Sequence, residues 1–257
     1  KPTGQFYMSD LYAAGGVGAV LRELKPLLHL DCMTVTGETL GDRLAHEAGA
    51  WVDRAVVRPL SDPLAKEGGL VALFGSLAPN GAILKRSAAD ASLFEREGRA
   101  VVFSSLDDLA ARVDDPALDI APDDFMLLQN AGPTSGYAMP EAGYLPIPQK
   151  LARAGLKDMV RISDARMSGT AYGTIVLHVS PEAAAGGPLA LVRNGDRIRL
   201  SVMERKIDLL VPENELLKRK SAWKPPAARP ARGYARLYMD HVLQAEHGCD
   251  FDFLRKA

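Results

Sequence analysis

Three polar, glycine-rich segments hold most of the side chains in this sequence that could do chemistry: GSLAPNGAILKRSAAD at 75–90, NAGPTSGYAMPEAGYLPIP at 130–148 and SDARMSGTAYGT at 163–174. Glu141 is the lone carboxylate of the second. Its neighbours Pro140, Pro146 and Pro148 argue against a helix or a central strand. An acid in such a loop is either solvated or a ligand for a hard cation such as Mg²⁺, which takes a carboxylate together with substrate oxygens and waters. A proline-stiffened loop loses less entropy in holding one ligand still.

Ser168 stands before Gly169 and Thr170 in the third segment. Arg166 occupies the first glycine position of a G-x-S-x-G elbow, so the α/β-hydrolase pattern fails. A loop or capping serine is one reading. A nucleophile or base is the other, and it needs a cation or aligned backbone N–H groups to favour the alkoxide. Lys85 and Arg86, which end the apolar part of the first segment, are either surface charges or contacts for an anionic substrate, Arg as a planar fork and Lys as a point charge. The five histidines, His29, His46, His178, His241 and His247, show no HxxxH or HExxH spacing, which disfavours zinc. Cys32 and Cys249 lie far apart without a CxxC partner and read as buried free thiols of a reducing compartment.

These segments need elements to position them. Apolar residues at helical spacing predict a helix over about 17–28, after a short turn of helix that Ser9 or Asp10 would cap and a break at Gly15-Gly16. A second helix is expected over 38–49, with Thr36 as its cap and Gly49 closing it. Residues 51–69 read as an irregular connection. From 70 onward short apolar runs alternate with turns, at 70–75, 100–103, 125–130, 159–163, 174–179, 189–192, 197–202 and 206–211. The last two form a hairpin pattern. Helices are expected at 105–113, 148–154, 213–222 and 233–244. The fold class is therefore mixed α/β: a β-barrel or sandwich with helical cover, preceded by a mainly helical segment, with a boundary near 66–70. Asn194-Gly195-Asp196 is turn chemistry and receives no catalytic role.

Composition sets the outer limits. Hydrophobic residues make up 47% and charged residues 25% of the 257 residues, which suits a globular chain rather than a disordered one. Lys and Arg number 31 against 32 acids, so no basic field exists to attract nucleic acid or an anionic membrane. No apolar run approaches the roughly 20 residues that span a bilayer, and the first residues lack a secretion signature. A cytoplasmic protein is the expectation.

Several motifs, in order, resemble one family. MSDLYAAGGVGAVLRELKPLLHLDCMTVTGETL at 8–40, GSLAPNGAILKRSAA at 75–89, MPEAGYLPIP at 139–148, ISDARMSGTAYGTIVLHVSPEAAAGGPLALVRNGDRIRL at 162–200 and HVLQAEHGCDFDFL at 241–254 are similar to the C-terminal part of the dihydroxy-acid and phosphogluconate dehydratases. Ala165, Met167 and Thr170 depart from the DGRFSGGT form of the branched-chain amino-acid branch. They resemble the sugar-acid branch instead, such as the L-arabinonate and D-xylonate dehydratases.

The resemblance implies a hydro-lyase that removes water from an aldonate to give a 2-keto-3-deoxy acid. It implies an iron–sulfur cluster, 2Fe–2S in the sugar-acid branch, as Lewis acid at the C3 hydroxyl, and Mg²⁺ at the carboxylate and C2 oxygen. By the same likeness Glu141 is a Mg²⁺ ligand, Ser168 is the base at C2, and Thr170 and Gly169 help to place the substrate. The family's cluster cysteines lie in a long N-terminal region. Residues 1–68 are then the end of that cluster-binding domain, residues 69–257 a C-terminal barrel domain, and the chain by itself inactive. The partners implied are a sugar acid, the N-terminal portion of the same enzyme and further copies in a homodimer or tetramer. Two other readings stand beside it: a dihydroxy-acid dehydratase of branched-chain amino-acid synthesis, and a non-catalytic barrel that binds a sugar acid or a partner.

Overall fold

A computed structural model describes residues 4–136, 139, 145–168, 172–226 and 230–255. The chain divides into two compact units, Lys1–Gly68 and Gly69–Ala257.

The first unit is helical. α1 (Met8–Ala13) and α2 (Gly16–Glu23) meet at Gly15, whose φ of 110° only glycine adopts without strain. The expected break is therefore real. The cap differs: Tyr7 is the N-cap of α1, and its backbone N–H donates to Asp10 at 2.7 Å. α3 (Leu40–His46) is capped by Thr39, whose hydroxyl accepts from Asp42 N at 3.1 Å, not by Thr36. Thr36 instead bonds Thr34 and Glu38 within the turn before the helix. The buried apolar residues of this unit are Ala14, Ala19, Leu44 and Val57, while Tyr12, Leu27, Met33, Val35 and Leu64 stand exposed. So small a core is far from what a free-standing domain buries.

The second unit is built on β1 (Val71–Leu73), β2 (Gly81–Leu84), β3 (Glu95–Phe103), β4 (Phe125–Leu128), β5 (Arg161–Ser163), β6 (Ile175–Ser180), β7 (Arg197–Ser201) and β8 (Lys206–Leu209). They form one eight-stranded sheet in the order β1-β2-β6-β5-β4-β3-β7-β8. Its two edges meet: Phe74, just past β1, donates to Arg205 O and accepts from Ile207 N, both at 2.9 Å. This nearly closes a barrel and leaves little free edge.

Strands β3, β4, β5 and β6 run parallel to one another, and the remaining pairs are antiparallel. β4 is buried throughout because alternate residues face opposite ways. Phe125 and Leu127 fill the barrel with Leu73, Leu84, Ile162, Val176 and Ile198. Met126 and Leu128 pack outward with Phe103, Leu109 of α4 (Leu106–Arg112) and Leu151 of α5 (Gln149–Arg153). α6 (Glu213–Ala222) and α7 (Gly233–His241) complete the cover.

Several expectations need correction. The run at 189–192 is not a strand but part of a 3-10 turn, Pro188–Leu191, because Pro188 has a fixed φ and no N–H for a ladder. GAIL at 81–84, expected within a loop, is β2, short enough to be masked by the glycine and proline around it. β3 begins at Glu95 rather than near 100; its polar first half pairs with β7 and its apolar second half with β4. Cys32 is exposed and Cys249 only half-buried, so the expected burial of both thiols does not hold. Among the described residues no helix is long and apolar enough to cross a membrane.

Candidate functional site

In parallel strands the connections leave at one edge of the sheet and return at the other. Leu128 pairs with Ser163, so the segments that follow β4 and β5 leave side by side at the carboxyl edge, where α/β sheets usually bind ligands. Of the residues the sequence singles out, Glu141, Gly169 and Thr170 lie outside the described residues. Ser168 is described and half-buried, with Met167 before it equally so. Lys85 and Arg86 are half-buried at the end of β2 and the turn that follows. What the described residues show is how the segments carrying these positions are held.

The carboxyl edge is held by two buried acids. Asp164, fully buried, accepts Ala131 N at 2.9 Å and Ala183 N at 2.8 Å. Burial raises its pKa to about 7; the two N–H bonds oppose that rise, and nearby Glu182 adds to it. Glu182 is also fully buried. It accepts Thr134 N at 3.0 Å, the Thr134 hydroxyl at 2.7 Å and Gln244 Nε2 at 2.6 Å, so the start of the 130–148 segment rests on it. Gly132 packs against the Glu182 side chain so closely that a Cβ there would collide with it. Near the end of the chain Cys249 Sγ lies 3.2 Å from Met139 Sδ, two residues before Glu141.

The returning edge is held by an ion pair. Arg161, the first residue of β5, and Asp158 are both buried and 3.1 Å apart. Arg161 Nη1 donates to Leu145 O at 3.0 Å and Nη2 to Tyr172 O at 3.2 Å. Asp158 accepts Thr174 N at 2.8 Å, the Thr174 hydroxyl at 2.7 Å and Asp90 N at 3.3 Å. All three glycine-rich segments thus end on one pair: the first at Asp90, the second at Leu145, the third at Tyr172 to Thr174. Gly173, at φ 104°, lets the chain pass; a Cβ there would collide with the guanidinium and the Asp158 carboxylate. Burial pushes the Arg161 pKa down, and Asp158 opposes that shift.

Asp158, Arg161, Asp164 and Glu182 carry this geometry, and sequence reading passed over all four. Asp164 lies inside the third segment and Glu182 two residues after the Ser180 that ends β6, among polar and small residues that give no sign of burial. Among the described residues no three His, Cys, Asp or Glu side chains gather as a metal site would require. Cys32 lies in the first unit and Cys249 in the second.

A barrel of this kind, with long polar segments pinned at both edges of its parallel strands, is a scaffold for a site built from loops. Comparison with known proteins identifies the family. The C-terminal region of the dihydroxy-acid/6-phosphogluconate dehydratases matches residues 55–249, and their N-terminal region matches residues 1–43. The chain belongs to that family.

Over 98% of its length it is 50% identical to a putative dehydratase, IlvD1, of Rhizobium meliloti, and over 98% it is 52% identical to L-arabonate dehydratase of Azospirillum brasilense. It is 46% identical over 99% to L-arabinonate dehydratase of Rhizobium leguminosarum bv. trifolii. The dihydroxy-acid dehydratase of Syntrophobacter fumaroxidans stands lower, at 40% over 96%. The chain spans less than half the length of these relatives, 44% or 45%.

Two outcomes follow from the latches. Arg161→Met leaves Asp158 buried without its cation and should lower unfolding stability by roughly 3–5 kcal/mol, read by urea titration; a loss under about 1 kcal/mol would mean that water replaces the guanidinium freely. Asp164 holds its proton more tightly folded than unfolded, where a carboxyl titrates near 3.9. Its contribution is therefore present at low pH and is lost as pH rises from about 4 toward 7. Asp164→Asn should flatten that decline in the urea midpoint. The variant should be the less stable protein at pH 5, by about 1–3 kcal/mol for the N–H left without an acceptor, with the gap narrowing by pH 8.

Proposed function

We propose that this chain is the C-terminal portion of a sugar-acid dehydratase, a hydro-lyase that converts an aldonate to a 2-keto-3-deoxy acid. The observation that carries the reading is the 52% identity to L-arabonate dehydratase along nearly the whole chain, against 40% for a dihydroxy-acid dehydratase. The name 6-deoxy-6-sulfo-D-gluconate dehydratase, borne by a Pseudomonas putida relative at 45% identity, keeps the substrate class to sugar acids without choosing among them.

In this reading Ser168 Oγ takes the C2 proton of a 2,3-dihydroxy carboxylate. The electron pair of the C2–H bond becomes the C2–C3 double bond, the C3 hydroxyl leaves with its bonding pair and receives the proton carried by Ser168 Oγ to give water, which restores the serine alkoxide, and the resulting enol tautomerises to the keto acid. Gly169 and Thr170 place the substrate beside the serine. Glu141 serves as one Mg²⁺ ligand. The same reading places the other Mg²⁺ ligands and the cluster cysteines in the part of the relatives' length that this chain does not span. When bound, the two groups supply positive charge at the carboxylate and C2 oxygens and a Lewis acid at the leaving hydroxyl. The exposed apolar residues of the first unit fit the same picture, since Tyr12, Leu27, Met33 and Val35 await cover. The assembled enzyme is a cytoplasmic homodimer or tetramer in this proposal.

The test uses the full-length enzyme and a panel of L-arabinonate, D-xylonate, 6-deoxy-6-sulfo-D-gluconate and a branched 2,3-dihydroxy acid. Turnover confined to the branched acid would remove the sugar-acid reading. Ser168→Ala should cut kcat by about 10²–10⁴, the usual worth of a positioned base, with the visible iron–sulfur spectrum unchanged. Full turnover in that variant would dismiss the serine as base. Glu141→Gln should shift the Mg²⁺ titration to higher concentration; an unchanged curve would count against its ligand role.

A further inference from the structure

Where β2 and β6 pair, the register slips. Gly81 faces Ser180 but Ile83 faces Leu177, so β6 carries one extra residue, a bulge at 178–179. Bulges bend a strand and re-aim a side chain, and they gather beside functional sites. The bulge residue His178 has a φ of 53°, a left-handed conformation that costs a non-glycine residue energy. What the strain accomplishes is visible in its bonds. His178 N donates to Ala165 O at 3.0 Å, and its ring Nε2 accepts Met167 N at 2.8 Å. One residue thus grips the chain at 165 and at 167, immediately before Ser168.

Because Met167 N–H is the donor, Nε2 must carry a lone pair, and the ring proton sits on Nδ1. Burial, and then the charge of Arg166, push the imidazole pKa below its ordinary value, which keeps the ring in this neutral form.

We propose that His178 is a positioning residue for Ser168: the β6 bulge turns its ring so that Nε2 fixes the Met167 amide and thereby the direction of the serine Oγ. This rests on the reading of Ser168 as base. Ser163, whose hydroxyl accepts Ala165 N at 3.1 Å, and Asp164 hold the start of the same segment, and His178 Nε2 holds Met167 N, next to the serine.

The experiment compares four variants of the full-length enzyme, assayed on whichever aldonate of the panel it turns over, with amide hydrogen exchange followed on peptides covering 165–170. His178→Leu removes the acceptor. His178→Asn removes its reach while suiting a left-handed backbone, so it serves if the leucine variant fails to fold. His178→Gln places an amide oxygen near the Nε2 position. Leu and Asn should lower kcat and kcat/KM together by about 10–100-fold, with KM nearly unchanged, as expected when a catalytic group is misplaced by a fraction of an ångström to an ångström. Exchange at 167–168 should speed up in both. Gln should recover most of the rate and the protection.

A purely structural histidine would instead give equal losses of thermal stability in all three variants and unchanged kcat per folded enzyme, which overturns the proposal. So would normal exchange at 167–168 in the Asn variant, or a Gln variant as slow as Leu. Ser168→Ala, the fourth variant, separates the two readings. If it retains turnover the base assignment fails, and the proposal falls with it even where exchange shows the tether. If it loses turnover while His178→Asn does not, only the positioning role fails.

Discussion

The Arg161–Asp158 pair is the constraint on which the arrangement of the loops depends. It is buried, so it must be complete: a guanidinium and a carboxylate out of water are tolerated only when nearly every donor and acceptor is engaged. Arg161 meets this demand by donating to the carbonyls of Leu145 and Tyr172, and Asp158 by accepting from Thr174 and Asp90. The requirement that stabilises the pair is the same one that collects the ends of three segments at one place. Removing a segment from the pair would leave a charged group short of a partner, which costs more than the hydrogen bond itself.

The opposite edge solves a different problem. There Asp164 and Glu182 are two acids with no basic partner among the hydrogen bonds of the described residues, satisfied by backbone N–H groups, a hydroxyl and an amide. Burial away from water raises the pKa of Asp164, and the nearby charge of Glu182 adds a smaller part to that rise. The segments after β4 and β5 therefore leave the barrel held by acids and come back held by an ion pair. Ser168 lies on the stretch between the two, next to Met167, whose N–H donates to His178 Nε2 of the neighbouring strand. A serine is a poor base unless its surroundings are fixed, because dipoles that must reorganise during the reaction give little help.

Much of this was legible in the sequence, and the limits are physical. Runs such as TIVLHV and RIRLSV announced β6 and β7, since an apolar or alternating pattern five or six residues long has few other uses in a barrel. Helices over 106–112 and 213–222 followed from periodicity. β2 was hidden because Gly81 and Pro79 read as loop, and what makes GAIL a strand is pairing with β6, about 95 residues away. LALV misled for the converse reason: four apolar residues fit a strand, but Pro188 and the need of Gln129 Nε2 for the carbonyls of Leu189 and Val192 set a turn there. The polar hubs were invisible for a simpler reason. Asp158, Arg161, Asp164 and Glu182 resemble any surface charge until burial is known, and burial is a property of the closed barrel, not of the residue's neighbours in sequence.

The tethers share one chemical property that bears on how such a scaffold serves different substrates. Ala131, Thr134, Leu145, Met167 and Tyr172 are each held through a backbone atom: the N–H of Ala131, Thr134 and Met167, the carbonyl of Leu145 and Tyr172. A main-chain amide is present whatever the side chain, proline aside. The barrel thus fixes the path of its loops while placing few demands on the side chains they carry, and the demanding residues, Arg161, Asp164, His178 and Glu182, sit on or beside the strands. Relatives at 40% to 52% identity bear the names of dehydratases for arabonate and for dihydroxy acids. A scaffold that holds loops by their backbones tolerates such variety, because changing a side chain between two tethers does not loosen how the loop is held.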